Sequence, residues 1–196
     1  MSARTQDLPP LRGYKHIIRE LRYHEASRQV LAFVLIAWFS FISEPLWPPS
    51  LIGSPLILAG TLLRLYASGF IIKNKKLATH GPYALVRHPL YTGNILIISG
   101  FSIFSSISWT LALTAFFFWF YYPTAIEYED RKLRTVFGAQ WEQWSRKVPK
   151  LIPTFSNLEA VVTGEWSFAK SAHRNGEPLI VFFIIVCFSY MTWKLP

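Results

Sequence analysis

The stretch His80–Asn94 reads H-G-P-Y-A-L-V-R-H-P-L-Y-T-G-N. It joins a short basic loop, starting at Lys73, to a long apolar run beginning at Leu90, so Arg87, His88 and Tyr91 fall at a membrane boundary rather than in an ordinary surface turn. Pro89 suits the first turn of the following helix, where its missing N–H would lack an intrahelical partner in any case. A second polar cluster, Glu127, Glu129 and Asp130, closes the next apolar run but one. If the runs Leu90–Ile107 and Trp109–Ile126 form a hairpin around Ser105, Ser106 and Ser108, both clusters return to one side and face each other across a single pocket.

The rest of the chain fits around that meeting. It has 196 residues, is 52% hydrophobic and 17% aromatic, and carries a formal net charge of +9. Its apolar residues lie in blocks, which points to an integral membrane protein. The cations fall between those blocks, a pattern that favours membrane orientation over nucleic-acid binding. The single cysteine, Cys187, lies within the last apolar run and excludes an intramolecular disulfide. The first twenty-odd residues carry Arg4, Arg12, Lys15, Arg19 and Arg22 without an apolar core, which reads as a retained cytoplasmic segment rather than a cleaved signal.

From Gly13 to Arg28 apolar and charged residues alternate at helical spacing, as in an amphipathic helix lying on the membrane surface. Val30–Ile42, extended to Trp47, makes a first span, and Pro45, Pro48 and Pro49 enforce a turn. Leu51–Ile72 gives roughly 33 Å of helix, enough to cross. Arg64 lies inside it and needs a partner or a function. Beyond Ile126 the helix continues to Phe137 and stops at Gly138. Ala139–Arg146 is a short interfacial helix anchored by Trp141 and Trp144, Val148–Pro153 is extended because each proline biases its predecessor away from the α region, and Thr154–Glu177 is polar and weakly patterned. Leu179–Trp193 is the last apolar run.

Lys and Arg number six before Val30, four in Lys73–Arg87 and eight in Glu127–Glu177; the loops Ser43–Ser50 and Ser105–Ser108 hold none. The expected fold is therefore an all-α membrane bundle of about five spans, with a cytoplasmic N-terminus and an outer C-terminus. It forms one domain over 1–196, divided into an N-terminal segment (1–29), a helix hairpin (30–72), a catalytic region (73–153) and a linker with the last span (154–196).

No dinucleotide-binding, P-loop or zinc-protease motif is present. His80 and His88 lack a nearby third ligand, so no metal is expected. His80, Tyr83, His88 and Tyr91 offer donors and stacking faces, Glu129 an acceptor pair for ribose hydroxyls or an ammonium group, and Lys73 or Arg87 a partner for a carboxylate.

The block G-P-Y-A-L-V-R-H-P-L-Y-T-G-N, followed by E-Y-E-D-R-K-L-R-T-V-F-G-A-Q-W-E-Q-W and K-V-P-K-L-I-P, resembles the C-terminal catalytic region of the isoprenylcysteine carboxyl methyltransferases and related phospholipid methyltransferases. The likeness covers about Lys73–Pro153 and, in size, is similar to a prokaryotic member. It implies a multi-pass enzyme of a prokaryotic cell membrane, its site facing the cytoplasm, that uses S-adenosylmethionine to methylate a lipophilic acceptor arriving from the bilayer. By the same resemblance His88, Pro89, Leu90 and Tyr91 form the cofactor segment, with Tyr83 just before it and Lys75, Lys76, Leu77 and Ala78 in the preceding cofactor-contacting stretch. Glu129 is the matching cofactor-binding glutamate. Arg87, His88 and Glu129 are the candidate catalytic residues; Lys73 and His80 are placed at the cofactor by position.

The chain departs from the family in two places. Asp130 stands where a second glutamate is usual. Ala125 stands where eukaryotic members place an acceptor-binding arginine. A carboxylate acceptor is already ionised near neutral pH and needs no base, whereas an amine acceptor, as in phospholipid N-methylation, would need one, for which His88 or Glu129 could serve. An NADPH-dependent membrane reductase shares a similar motif block but would be expected to carry more spans upstream. A non-enzymatic membrane scaffold is the remaining alternative.

Overall fold

The computed structural model describes residues 4–71, 75–154, 157–174 and 176–196. Seven α-helices are found there: α1 (Tyr14–Tyr23), α2 (Glu25–Ile42), α3 (Trp47–Ser68), α4 (Pro89–Phe104), α5 (Ser108–Phe137), α6 (Ala139–Ser145) and α7 (Glu177–Trp193). The chain is an all-α helical membrane protein. Helices α2 and α3 are long and apolar enough to cross a bilayer; α4 and α7 are apolar but shorter, with 16 and 17 residues.

The helix expected over Gly13–Arg28 is two helices. His24 adopts an extended conformation, and its Nδ1 accepts from the Ser27 N–H at 3.1 Å, capping α2. Arg28 therefore belongs to the first turn of the membrane-length helix. Pro48 and Pro49 sit in the opening turn of α3, where proline is tolerated, rather than in the preceding loop. That helix ends at Ser68, four residues short of the expected Ile72, which lies outside the described residues.

Helices α3 and α4 are the closest pair, and glycines allow it. A Cβ on Gly60 would sit 2.6 Å from the Gly93 carbonyl oxygen, and one on Gly53 would sit 2.7 Å from that of Gly100. The two glycines of each helix are seven residues apart, nearly two turns, so they form one seam of backbone-to-backbone contact. Next to the seam, Phe39 of α2, Phe101 and Phe104 of α4, Phe117 of α5 and Met191 of α7 fill the apolar core.

The α2–α3 and α4–α5 turns meet at one end. The Glu44 N–H donates to the Ser105 carbonyl at 3.0 Å, and the Leu46 N–H to Ser106 Oγ at 3.0 Å. The C-terminal end of α7 reaches the same end, where Lys194 Nζ donates to the Phe41 carbonyl at 3.1 Å. At the opposite end α5 runs on beyond Ile126 to Phe137 and is stopped by Gly138, whose φ is +51°.

The buried arginine of α3 is paired. Arg64 Nη2 lies 2.7 Å from Glu177 Oε1, at the start of α7, and its Nη1 donates to Asn94 Oδ1 of α4 at 2.6 Å. Residues 157–174 pack along the end of α3: the Tyr66 hydroxyl donates to the Val161 carbonyl at 2.7 Å and Ser68 Oγ lies 2.6 Å from Ser171 Oγ.

Candidate active site

The loop preceding α4 is held by main-chain bonds to the proline-rich segment after α6. The Arg87 N–H donates to the Pro149 carbonyl at 2.8 Å, the His88 N–H to that of Lys150 at 3.1 Å, and the Thr154 N–H to that of Leu85 at 2.9 Å. Thr92, in the first turn of α4, adds a bond from Oγ1 to the Leu151 carbonyl at 2.8 Å. Residues 148–153 are thus irregular, as two prolines require, and serve as a strap that fixes where His88 points. Within the loop, Gly81–Ala84 forms a buried 3-10 turn, and Gly81, at φ +63°, lies flat against the Phe70 ring.

His88 caps α4 and is 5% exposed. Its imidazole is gripped from both sides by α5: Nε2 lies 3.0 Å from Asp130 Oδ1, and Nδ1 lies 3.5 Å from Glu129 Oε2. The Tyr91 hydroxyl donates to Glu129 Oε1 at 2.8 Å. Arg87 Nη1 and Lys150 Nζ approach Asp130 Oδ2 at 3.2 and 3.8 Å. A connected chain results, from Arg87 through Asp130, His88 and Glu129 to Tyr91. It joins the two motifs that the expected hairpin would bring together.

Burial opposes charge on His88, but the bonds to Asp130 and Glu129 outweigh it and raise the imidazole's pKa above 6.5. Burial likewise pushes both carboxylates up; the His88 bond and charge overcome it, helped by Tyr91 and Arg28 at Glu129 and by Arg87 and Lys150 at Asp130, so both end below their ordinary values. The cluster therefore favours the protonated imidazole between two ionised carboxylates. Asp130 is enclosed, its side chain 12% exposed, while that of Glu129 is 42% exposed and is the carboxylate open to a ligand. Burial also raises the Tyr83 phenol, so Tyr83 stays neutral.

The other anticipated residues are distributed differently. Pro89 is buried and Leu90 half-buried beside His88. Leu77 is buried and Ala78 half-buried, whereas Lys75 and Lys76 are exposed. His80 is also exposed; its Nδ1 lies 3.1 Å from Thr79 Oγ1, and its Cβ lies beside Gly164, with no bond to the His88 cluster among the described residues. Lys73 lies outside the described residues.

Three features escaped sequence reasoning. Asp130 contacts His88 more closely than Glu129 does; its place in the acidic cluster is legible in the sequence, but not that it is the nearer partner. Arg28, 7% exposed, lies with its Cζ 5.2 Å from the centre of the Tyr91 ring, and its Nη1 has no hydrogen-bond partner among the described residues. The available signal was an arginine two residues before an apolar run, where a membrane helix buries what it carries. Trp141 and Trp144, expected as interfacial anchors, also touch the loop that carries the site. Arg87 lies over the Trp141 ring at 5.8 Å, and Trp144 Nε1 donates to the Tyr83 carbonyl at 3.3 Å.

An apolar helical bundle with ionisable residues gathered at one end defines the class as a membrane protein with a polar site at the boundary. Comparison with known proteins narrows this. Residues 52–140 match the phospholipid methyltransferase family. The cobalt-zinc-cadmium resistance protein CzcN of Cupriavidus metallidurans is 34% identical over 138 residues, covering 66% of this chain and 62% of that protein. The nickel-cobalt-cadmium resistance protein NccN of Alcaligenes xylosoxydans xylosoxydans is 31% identical, covering 66% and 63%. A probable protein-S-isoprenylcysteine O-methyltransferase of Oryza sativa subsp. indica is 28% identical over 152 residues, covering 65% and 77%. The chain thus spans a little over three fifths of the length of the two resistance proteins. No solved structure matches. The chain is similar to the isoprenylcysteine carboxyl methyltransferases, and its phospholipid methyltransferase match contains the whole His88–Glu129–Asp130 cluster.

Proposed function

We propose that this protein is a membrane methyltransferase that takes S-adenosylmethionine at the His88–Tyr91–Glu129 cluster and methylates the carboxylate of a lipophilic, isoprenylcysteine-like acceptor. The supporting observation is the bonded chain from Arg87 to Tyr91, which unites both halves of the resemblance at the apolar boundary. The donor set suits such a cofactor: a half-exposed, ionised Glu129 can accept from ribose hydroxyls or an ammonium, and the Tyr91 and Tyr83 rings offer apolar faces. When bound, the cofactor supplies a methyl group on a sulfonium, ready for displacement.

The residues of the chain supply position and dryness. The bonds to Asp130 and Glu129 favour the protonated form of His88, which makes it a poor base and suits it to keeping the Glu129 carboxylate ionised and aimed. Arg87 and Lys150 flank Asp130 and are the cations of the cluster available to pair with an acceptor carboxylate. A carboxylate acceptor requires no proton removal, so alignment and exclusion of water suffice. An amine acceptor would depend on Glu129 as base, since Asp130 is enclosed and ion-paired.

The reading extends to topology. Helices α2, α3, α4, the first part of α5 and α7 are taken as five crossings, with the basic segments and the site on the cytoplasmic side. Two relatives carry names of metal resistance and others that of isoprenylcysteine methylation, so prenylated and non-prenylated lipophilic carboxylates both belong in the acceptor panel.

The test is calorimetric titration of detergent-solubilised protein with S-adenosylhomocysteine and, separately, with NADPH, repeated on Glu129→Ala. Binding of the first ligand, weakened at least about tenfold by the substitution, is expected from loss of a charge-assisted contact. Binding of NADPH alone would replace the reading with a reductase, and binding of neither by folded protein would leave a non-enzymatic scaffold.

A further inference from the structure

A second site lies on α1, away from His88. A cavity of about 410 Å3 opens between α1 and α5, lined by Lys15, Ile18, Arg19 and Arg22 on one side and Thr124 on the other. No carboxylate lines it among the described residues. The nearest acids are engaged elsewhere: Glu127 accepts from the Tyr23 hydroxyl at 2.8 Å and pairs with Arg131 at 3.3 Å, and Glu20 accepts from Thr5 Oγ1 at 2.6 Å.

Arg19 is the unusual member. It is 9% exposed, and only one of its three guanidinium nitrogens is accounted for, Nη1 donating to the Pro9 carbonyl; Nε and Nη2 are sealed from water with no partner among the described residues. Buried donors of a charged group without acceptors are rare in folded proteins unless an anion or water supplies them. Arg22 is fixed beside it by a bond from Nε to the Phe120 carbonyl at 2.8 Å, and Lys15 is exposed at the rim.

We propose that this cavity takes the phosphate of an anionic phospholipid. Its acyl chains would lie along the outward face of α1, where Tyr14, Ile17, Ile18 and Leu21 are 69, 68, 44 and 45% exposed. That face explains the choice of lipid over free phosphate: α1 turns apolar side chains outward and Arg19 inward, the arrangement of a helix that lies at an interface and gathers a headgroup beneath itself. It stands directly before the membrane-length helix α2, which sets its depth at the headgroups. The site makes no use of the methyl donor and stands whether or not the proposed reaction does.

The experiment is a thermal-shift titration of full-length protein in neutral detergent with three probes: short-chain phosphatidylglycerol, phosphatidylcholine of the same acyl length, and inorganic phosphate. Each is repeated on Arg19→Gln and Lys15→Gln. Phosphatidylglycerol is expected to bind at least about tenfold more tightly than phosphatidylcholine, since cations at a membrane surface each add appreciably to anionic lipid affinity. That preference should shrink to about twofold in Arg19→Gln and fall partway in Lys15→Gln, with S-adenosylhomocysteine binding unchanged in both. Equal affinity for the two lipids overturns the proposal, as does a preference that survives intact in Lys15→Gln, the exposed position that carries the test if Arg19→Gln does not fold. Inorganic phosphate binding as tightly as phosphatidylglycerol would assign the cavity to a free anion and also overturn it.

Discussion

His88 shows how two consecutive residues of a helix can serve one side chain. Neighbours on α5 diverge by about 100° around the axis, and the two nitrogens of an imidazole also point apart. Glu129 and Asp130 can therefore hold the ring from both sides, at 3.5 and 3.0 Å. This arrangement predicts a pH dependence. His88 has a raised folded pKa, so its contribution to stability is complete below its unfolded value of 6.5 and is lost as pH rises through the higher folded value. Glu129 and Asp130 have lowered folded pKa values, so theirs is complete above 4.5 and 3.8 and is lost as pH falls through the folded values. The cluster should contribute most between about pH 4.5 and 6.5. Melting midpoints in detergent should decline above that window, and His88→Gln should flatten the decline on the alkaline side; an unchanged profile would mean that the imidazole is not ion-paired. The sequence showed that His88 and Tyr91 meet Glu129 and Asp130, because the motif spacing and the expected hairpin sufficed for that, but not that His80, Lys75 and Lys76 lie apart from them. It did not show that Asp130 is the closer partner, because that depends on the rotation of α5 about its own axis relative to α4, where Tyr91 packs on Tyr122.

Among the elements, α3 and α4 carry the scaffold, and their seam is sensitive to single methyl groups. A Cβ on Gly93 would lie 2.6 Å from Arg64 Cγ and 2.9 Å from the Gly60 carbonyl oxygen. Gly93→Val should therefore cost about 1–3 kcal/mol by overpacking and lower the melting midpoint by several degrees. Because Thr92 and His88 stand at the start of the same helix, donor binding should weaken with it, while a substitution at exposed Leu58 on the outer face of α3 should leave both unchanged. Beside the seam, Arg64 and Glu177 tie α3 to α7 with both side chains almost sealed, at 10 and 2% exposure. Arg64→Met alone leaves a buried carboxylate unpaired and removes the donor to Asn94 Oδ1, at a cost of about 3–5 kcal/mol. Adding Glu177→Leu should recover much of the loss, and a double variant as unstable as the single would show that the pair itself stabilises the fold. The sequence marked Arg64 as needing a partner but not which one, since Glu177 is more than a hundred residues away. The break at His24 was also hidden: a histidine cap is a weak local signal inside a segment with continuous helical periodicity.

At the scale of the whole molecule, the packing of the helix ends fixes which loops share an end, and charge then predicts which side of the membrane each end faces. The Glu44–Ser105 and Leu46–Ser106 bonds join two turns devoid of lysine and arginine, and α7 ends beside them. The loop at 75–91, the extension of α5 and the segment after α6 gather at the other end with most of the cations. Retention of that cation-rich end in the cytoplasm is the expectation of the positive-inside rule. The grouping of loops at two ends was legible in the apolar runs, though α4 and α7 are short and α5 is so rich in aromatics that only the packing shows these helices running alongside α2 and α3. The single cysteine makes orientation measurable. In a Cys187→Ser background, Lys76→Cys and Ser106→Cys place one thiol at each end. A membrane-impermeant maleimide added to intact cells should label position 106 and spare position 76 until the membrane is permeabilised. The reverse pattern would put the His88 cluster outside, beyond reach of a cytosolic methyl donor, and would overturn the proposed reaction together with the orientation. Labelling of both positions in intact cells would contradict the pairing of turns, because the α2–α3 and α4–α5 turns cannot share one side with the 75–91 loop if α3 and α4 each cross once.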